Sequence, residues 1–114
     1  MDMNTLYYNP NQENKLNQLL EVSNPTIAIE NTKKYLGNNT RLNISTHKNK
    51  KYMIWNNFKM IHFGDIRYED FTKSNNLEKR EAYLKRTANI RSSWKNDKYS
   101  ANNLARVILW DAPF

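Results

Sequence analysis

The chain has no cysteine, only two glycines, three prolines and two histidines in 114 residues, and each shortage closes off a class of function. Without thiols there is neither a disulfide framework nor a thiolate metal site, and the small secreted scaffolds that depend on them are excluded. Two glycines do not make a Walker-type phosphate loop, a dinucleotide fingerprint or a Gly/Ser linker, and no nucleophile elbow or internal repeat is present. His47 and His62 are the whole supply of imidazole, and no third and fourth ligand stand at a metal-binding spacing from them. No apolar run approaches the roughly 20 residues that span a bilayer. The opening "MDMNTLYYNPNQEN" has no hydrophobic signal segment, so the expectation is a protein made and kept inside a cell, without a membrane partner.

What is present argues for one folded domain. Hydrophobic residues make up 39% and aromatics 12%, too many for a disordered chain, and the large ones cluster after position 50. Residues 1–12 read as an N-terminal arm that docks through Leu6, Tyr7 and Tyr8, and residues 13–114 as a single domain. The net charge of +7 and a pI near 9.7 favour a polyanionic partner, DNA or RNA. The asparagine-rich strings "NQEN", "GNNT", "WNNF" and "SNNL" alongside many lysines also point to an AT-rich genome, which inflates the basic count without selection for binding.

The periodicities predict a small α+β fold: an antiparallel β-hairpin sheet packed against N-terminal and C-terminal helices. A first helix runs from Glu13 to Val22 with Leu16, Leu19 and Leu20 on one stripe. A second spans 25–36, since Asn24 suits a cap, Pro25 the first turn and Gly37 a left-handed close. The period then falls to two, with Leu42 and Ile44 alternating, and "KKYMIWNNFKMIHFG" reads as a hairpin with Asn56 and Asn57 as its loop. That register places Trp55 opposite Phe58 and Met53 opposite Met60 on a core face, and leaves Ile54, Lys59, Tyr52 and Ile61 on a half-exposed one. Beyond Gly64, "LEKREAYLKRTANIRSSW" predicts a long helix with Tyr83, Leu84, Ala88, Ile90 and Trp94 in one apolar arc, and Ser100 caps a last helix, "ANNLARVILW".

The basic residues divide on this scheme. Lys79, Lys85 and Arg86 face away from the apolar arc in the company of Glu78 and Glu81, whereas Arg80 and Arg91 fall inside it, where a buried charge requires a partner; Asp65, Glu69 and Asp70 of "GDIRYEDF" are the natural suppliers. Lys95, Lys98 and Tyr99 continue the run in the loop "KNDKYS", where a phosphate or base is within easier reach. Lys48, Lys50 and Lys51 form a second cluster in "THKNKK" at a strand connection, Lys59 follows the hairpin loop, and the two clusters are expected to merge if they serve one ligand. A small nuclease would rest on His62, Asp65 and Asp70 alone, so no catalytic residue, metal or cofactor is assigned.

The order of "HFG" at 62–64, Tyr68, "DFT" at 70–72, "YLKR" at 83–86, Trp94 and "LARVILW" resembles a family of short basic proteins of unknown function from nucleocytoplasmic giant DNA viruses and virophages, from about Ser45 to Trp110. Members of that family often carry a histidine and an aspartate where this chain has Ser74 and Asn76, which argues against a shared metal or acid/base role there. Arg80, Tyr83, Arg86 and Trp94 match, and the resemblance brings no established activity with it. The resulting expectation is a non-enzymatic viral accessory protein, in the host-cell cytoplasm (the viral factory) or the virion. It would bind DNA or RNA with low sequence specificity through the phosphates, using Lys48, Lys50, Lys51, Lys59, Lys79, Lys85, Arg86, Lys95, Lys98 and Tyr99. The alternative is a virion structural or assembly protein acting through contacts with other viral proteins.

Overall fold

A computed structural model describes residues 5–114; the first four residues of the expected arm lie outside them. Five helices flank a three-stranded antiparallel sheet, as the α+β reading anticipates: α1 (Glu13–Val22), α2 (Pro25–Leu36), β1 (Asn43–Ile44), β2 (Lys50–Asn56), β3 (Lys59–Asp65), α3 (Phe71–Ser74), α4 (Leu77–Ala88) and α5 (Ala101–Leu104). The helix limits follow local chemistry. Asn24 accepts from the amides of Thr26 and Ile27, Pro25 opens α2, and Gly37 at φ 100 closes it. Ser100 accepts from the Asn103 amide at the start of α5, which widens into a π-turn over Ala105–Leu109. The arm is tied down as well: the Tyr7 amide donates to Leu42 O (3.0 Å), the Ile44 amide donates to Tyr7 O (2.9 Å), and Leu6 packs on the core. On α1, Leu19 is buried, but Leu20 is exposed and lies off the expected stripe.

The hairpin differs from the expectation by one residue. Its loop is Asn57–Phe58, both at positive φ (52° and 64°) as a two-residue mirror-image turn requires, and the register is Asn56↔Lys59, Trp55↔Met60, Ile54↔Ile61, Met53↔His62 and Tyr52↔Phe63. Moving the loop by one residue shifts the cross-strand partners by two, so each face keeps its members, and the difference is that the face expected to be half-exposed is the buried one. Tyr52, Ile54 and Phe63 are buried and join Leu42, Ile44, Ile66, Leu104 and Ile108 in the core, whereas Trp55 is 58% and Phe58 89% exposed. The physical reason lies in what the observed register aligns. It sets Ile54 directly opposite Ile61 and Tyr52 opposite Phe63, where the expected register opposes Ile54 to Lys59, and it continues this apolar face through Ile44 opposite Tyr52 on β1.

Helix α4 stops at Ala88, six residues short of the expected Trp94. Its last carbonyls are taken by side chains of the C-terminal segment: Arg106 donates to Leu84 O (2.8 Å) and to the Thr87 hydroxyl (2.6 Å), and Asn102 donates to Thr87 O (3.2 Å). A helix end satisfied in this way has no need to continue. Ile90 and Arg91 are therefore exposed, and Trp94 reaches the interior from a separate 3-10 turn, its indole N–H on Ile90 O at 2.8 Å. Arg80 and Arg91 also find no carboxylate. Arg80 spreads its guanidinium over two consecutive carbonyls, Trp110 O (2.9 Å) and Asp111 O (2.7 Å), so it braces α4 to the end of the chain and not to the "GDIRYED" segment.

Gly64 is the tightest point of the packing. At φ 79 it takes a backbone conformation that costs an L-residue about 1–2 kcal/mol, and a Cβ there would stand 2.7 Å from Leu109 Cδ1 and 3.2 Å from the Lys51 stem. Gly64→Ala is expected to lose about 2–4 kcal/mol when strain and overpacking are combined, read from the shift of a urea midpoint. An unchanged midpoint would show that the neighbours yield freely.

Candidate nucleic-acid interface

A groove of about 990 Å³ runs between α4, the open end of the β2–β3 hairpin and the C-terminal segment. Lys50 comes to it from β2, Lys79 and Arg86 come from α4, and all three are exposed. The two ion pairs formed among the described residues, Lys51–Asp70 and Arg67–Asp65, engage none of the three. Tyr68, 65% exposed, lines the same groove, and Tyr83 forms a wall stacked on Trp110 at 4.2 Å with the Arg86 guanidinium 5.4 Å from its ring centroid. Glu69 also lines the groove, and so does Asp65, whose charge Arg67 holds with two side-chain bonds of 2.8 and 2.9 Å. Those hydrogen bonds pull the Asp65 carboxyl down to about 2.

Lys51, counted among the candidate phosphate contacts, is instead a structural cation. It is 2% exposed, and its ammonium lies 3.0 Å from Asp70, itself fully buried. Burial pushes the Lys51 pKa below its ordinary value, against the opposing pull of Asp70. The other Asp70 oxygen accepts from the Thr72 amide at 3.0 Å and from the Thr72 hydroxyl. Thr72 receives the Asn24 amide at 2.9 Å and meets Ser23, which bonds the Tyr52 phenol at 2.7 Å. The sequence reading places this lysine in the basic cluster "THKNKK" at a strand connection. Its signal in the sequence is weak: only the distant "EDFT" string, with a carboxylate beside a threonine, marks a possible partner.

The remaining candidates do not line the groove. Lys85 is exposed on α4, Lys48 in the turn before β2 and Lys59 next to the hairpin loop. Lys95 and Lys98 rest their ammonium groups over Trp94 (5.8 Å) and Tyr35 (5.2 Å), with Tyr35 donating to Lys98 O at 2.7 Å. Tyr99 is half-buried against the core. Lys50 is thus grouped with Lys79 and Arg86, and the "KNDKYS" loop belongs to the surface around α2.

Sequence position and charge sign together show something the count of basic residues hides. No Asp or Glu occurs from residue 31 to residue 64, a stretch with seven Lys or Arg, so the entire excess of +7 is carried there and the other 80 residues balance. That stretch contains the sheet except for Asp65 at the end of β3, and the side of the sheet away from Tyr52 and Ile54 presents Met53, Trp55, Met60 and His62. The His62 ring stacks on His47 at 3.4 Å and its Nδ1 meets the Ser45 hydroxyl at 2.7 Å, while Lys15 donates to Ser45 O (2.6 Å) and His47 O (2.5 Å). The three residues of the nuclease reading therefore turn to separate partners: His62 to Ser45 and His47, Asp65 to Arg67, Asp70 to Lys51. Among the described residues no three His, Asp or Glu side chains are grouped to hold a metal ion, and no helix is long and apolar enough to cross a membrane.

Residues 40–87 match the model of a family of unknown function (DUF5754). The matched stretch, less than half of the chain, runs from β1 through α4, so it includes Lys48, Lys50, Lys51, Lys59, Lys79, Lys85 and Arg86 and stops before Lys95, Lys98 and Tyr99. This part of the chain is similar to an uncharacterised domain. No curated protein and no solved structure matches the chain.

Two expectations follow. Asp70→Ala strands the Lys51 ammonium in the interior and should cost about 3–5 kcal/mol in a denaturant titration; a loss under 1 kcal/mol would mean that water reaches Lys51. Burial and the nearby positive groups of His47, Lys15 and Lys50 hold the His62 pKa below its ordinary 6.5. In the window below pH 6.5 the unfolded chain therefore takes up the proton first, so stability present above 6.5 is lost as pH falls toward the folded value. Melting temperatures between pH 7.5 and 5 should fall less steeply for His62→Asn than for wild type; parallel profiles would contradict the assignment.

Proposed function

We propose that this is a non-enzymatic accessory protein of a large DNA virus that binds DNA or RNA mainly through phosphates, in the viral factory of the host cytoplasm or in the virion. The observation that carries the reading is the convergence of Lys50, Lys79 and Arg86, from elements far apart in sequence, on one groove without an ion-pair partner. Phosphates are spaced regularly along a strand, and a polyanion crossing the groove would meet all three cations in succession. Tyr68 adds a face on which a base or sugar rests. Contacts of this kind position a nucleic acid without reading it, so low sequence specificity follows. Lys48 and Lys59 extend the positive surface along the sheet, whereas Lys51 is withdrawn from the contact set. The viral assignment rests on the order of motifs from "HFG" to "LARVILW".

A second reading, assembly through contacts with other virion proteins, draws on the apolar side chains exposed at the hairpin tip, Trp55, Phe58 and Met60. It predicts self-association or capture of a structural protein with no dependence on nucleic acid.

Binding of a random-sequence duplex at several salt concentrations tests the groove. Three phosphate contacts give a slope of log K against log salt of about −2.7, at −0.9 per contact. The double variant Lys79→Ala, Arg86→Ala should lower that slope by nearly 2 without altering sequence preference. Wild-type protein that binds duplex more weakly than about 100 μM at physiological salt, the weak end of non-specific binding, would sink the nucleic-acid reading in favour of assembly.

A further inference from the structure

We infer that the outer side of the β2–β3 hairpin is a second binding site, one that stacks the bases of single-stranded nucleic acid on Trp55 and Phe58. The inference rests on the nucleic-acid reading above but concerns a different surface and a different form of the ligand. Three observations on the hairpin converge.

The first is exposure. Of the three tryptophans, Trp94 and Trp110 are buried, and Trp55 alone is turned outward, opposite Met60 on the side of the sheet away from Tyr52, Ile54 and Phe63. Phe58, the most exposed large hydrophobic residue, stands at the loop three residues on. Two aromatic faces thus lie free at one end of a rigid two-stranded ribbon, which is what a sequence-tolerant stacking platform requires.

The second is the backbone at Phe58. Its φ of 64° is a conformation that a tight hairpin turn ordinarily fills with glycine or asparagine, and a bulky side chain there is uncommon. Asn57 obeys that preference and Phe58 does not. Folding gains nothing from the ring, because it is 89% exposed and contributes no burial. A strained aromatic residue that packs against nothing in its own chain is accounted for by a ligand that it packs against.

The third decides what the ligand is. Apart from Asp65 at its open end, opposite Lys50, the hairpin lies inside the stretch of residues 31–64 that has no carboxylate, with Lys59 exposed next to Phe58. An apolar tip made for a protein partner would be neutral or of mixed charge around its rim, since polar rims of both signs are the rule in such interfaces. Two exposed aromatics beside an exposed lysine, on a segment with no carboxylate before Asp65, match an unpaired strand, whose phosphates meet the lysine while the bases stack. A duplex keeps its bases stacked on one another and offers them no such surface. The groove with Lys50, Lys79 and Arg86 serves phosphates of either form.

The probe is an oligothymidylate of about 20 nucleotides, long enough to cover an ordinary single-strand site, compared with a random-sequence duplex. Removing one stacked aromatic typically weakens binding about 5- to 150-fold. Trp55→Ala and Phe58→Ala should each do so for the oligothymidylate and leave duplex affinity within about twofold, whereas Lys79→Ala with Arg86→Ala weakens both. A measurement on wild-type protein needs no variant: titrating the oligothymidylate should quench the emission of exposed Trp55, and duplex should not. Oligothymidylate affinity that stays within twofold in both variants overturns the proposal while duplex binding preserves the groove reading. Self-association that Trp55→Ala abolishes, with oligothymidylate binding unchanged, assigns the face to a second copy and overturns it as well. Absence of binding to either nucleic acid removes both readings together.

Discussion

Lys51 and Asp70 form a charged pair from which water is excluded, 3.0 Å apart and with almost no exposed side-chain surface. Removing two ions from water is expensive, and attraction between them offsets the cost only if the remaining hydrogen-bonding capacity is also filled. Here it is filled from three directions. Thr72 occupies the second Asp70 oxygen, Asn24 donates to Thr72, and Ser23 passes the network on to Tyr52. The Asp70 amide meanwhile donates to Val22 O at 2.9 Å. The end of α1, the start of α2, the centre of β2 and the first turn of α3 are thereby held in one arrangement. An apolar pair of equal volume would stabilise about as well, but it would not fix which residue of α3 meets which residue of β2.

The position of the groove follows from that arrangement. The Lys51 stem lies against Gly64, where the absence of a side chain also admits Leu109 from the π-turn. With α3 anchored by Asp70, the chain enters α4 through the left-handed Asn75 and the Asn76 cap, which sends Lys79 and Arg86 along the groove that begins at Lys50. Arg80 and Arg106 then lock α4 from both ends, one on the carbonyls of Trp110 and Asp111, the other on Leu84 and Thr87. Four cations adjacent in the primary sequence of the helix or drawn to it thus have two separate occupations. Arg80 and Arg106 satisfy backbone carbonyls, and Lys79 and Arg86 face solvent.

The parts of this structure legible in the sequence are those decided within a few residues. Asn24 with Pro25, Gly37 and Ser100 mark helix limits because a cap is a local hydrogen bond. Trp94 reads as core because its size demands burial, whichever element delivers it. The hairpin register was not legible from the loop, since Asn56–Asn57 is chemically the better turn than Asn57–Phe58, and the choice is made by opposing Ile54 to Ile61 and Tyr52 to Phe63; which face is buried depends on the helices that pack on it. The end of α4 depends on Arg106 and Asn102, which approach from the other side of the fold. The charge of Lys51 looks identical to that of Lys50 until a carboxylate 19 positions away is brought to it. Of the candidate contacts, the exposed lysines were identifiable by type, and the grouping of Lys50 with Lys79 and Arg86 required tertiary structure.

The densest run of basic residues, in α4 and the loop after it, is not where the molecule is most positive. Arg80 in it is taken up by backbone carbonyls, and carboxylates elsewhere in the chain match its charge in number. The stretch of residues 31–64 has as many cations, seven, and no carboxylate of its own, so the net positive charge resides there. Long-range attraction depends on summed charge, and short-range recognition on what else the surface offers. In this chain the two occur in one segment: the stretch of residues 31–64, which carries the net positive charge, also carries the one tryptophan the core does not use. A solubilising surface needs the first of these and has no reason to include the second.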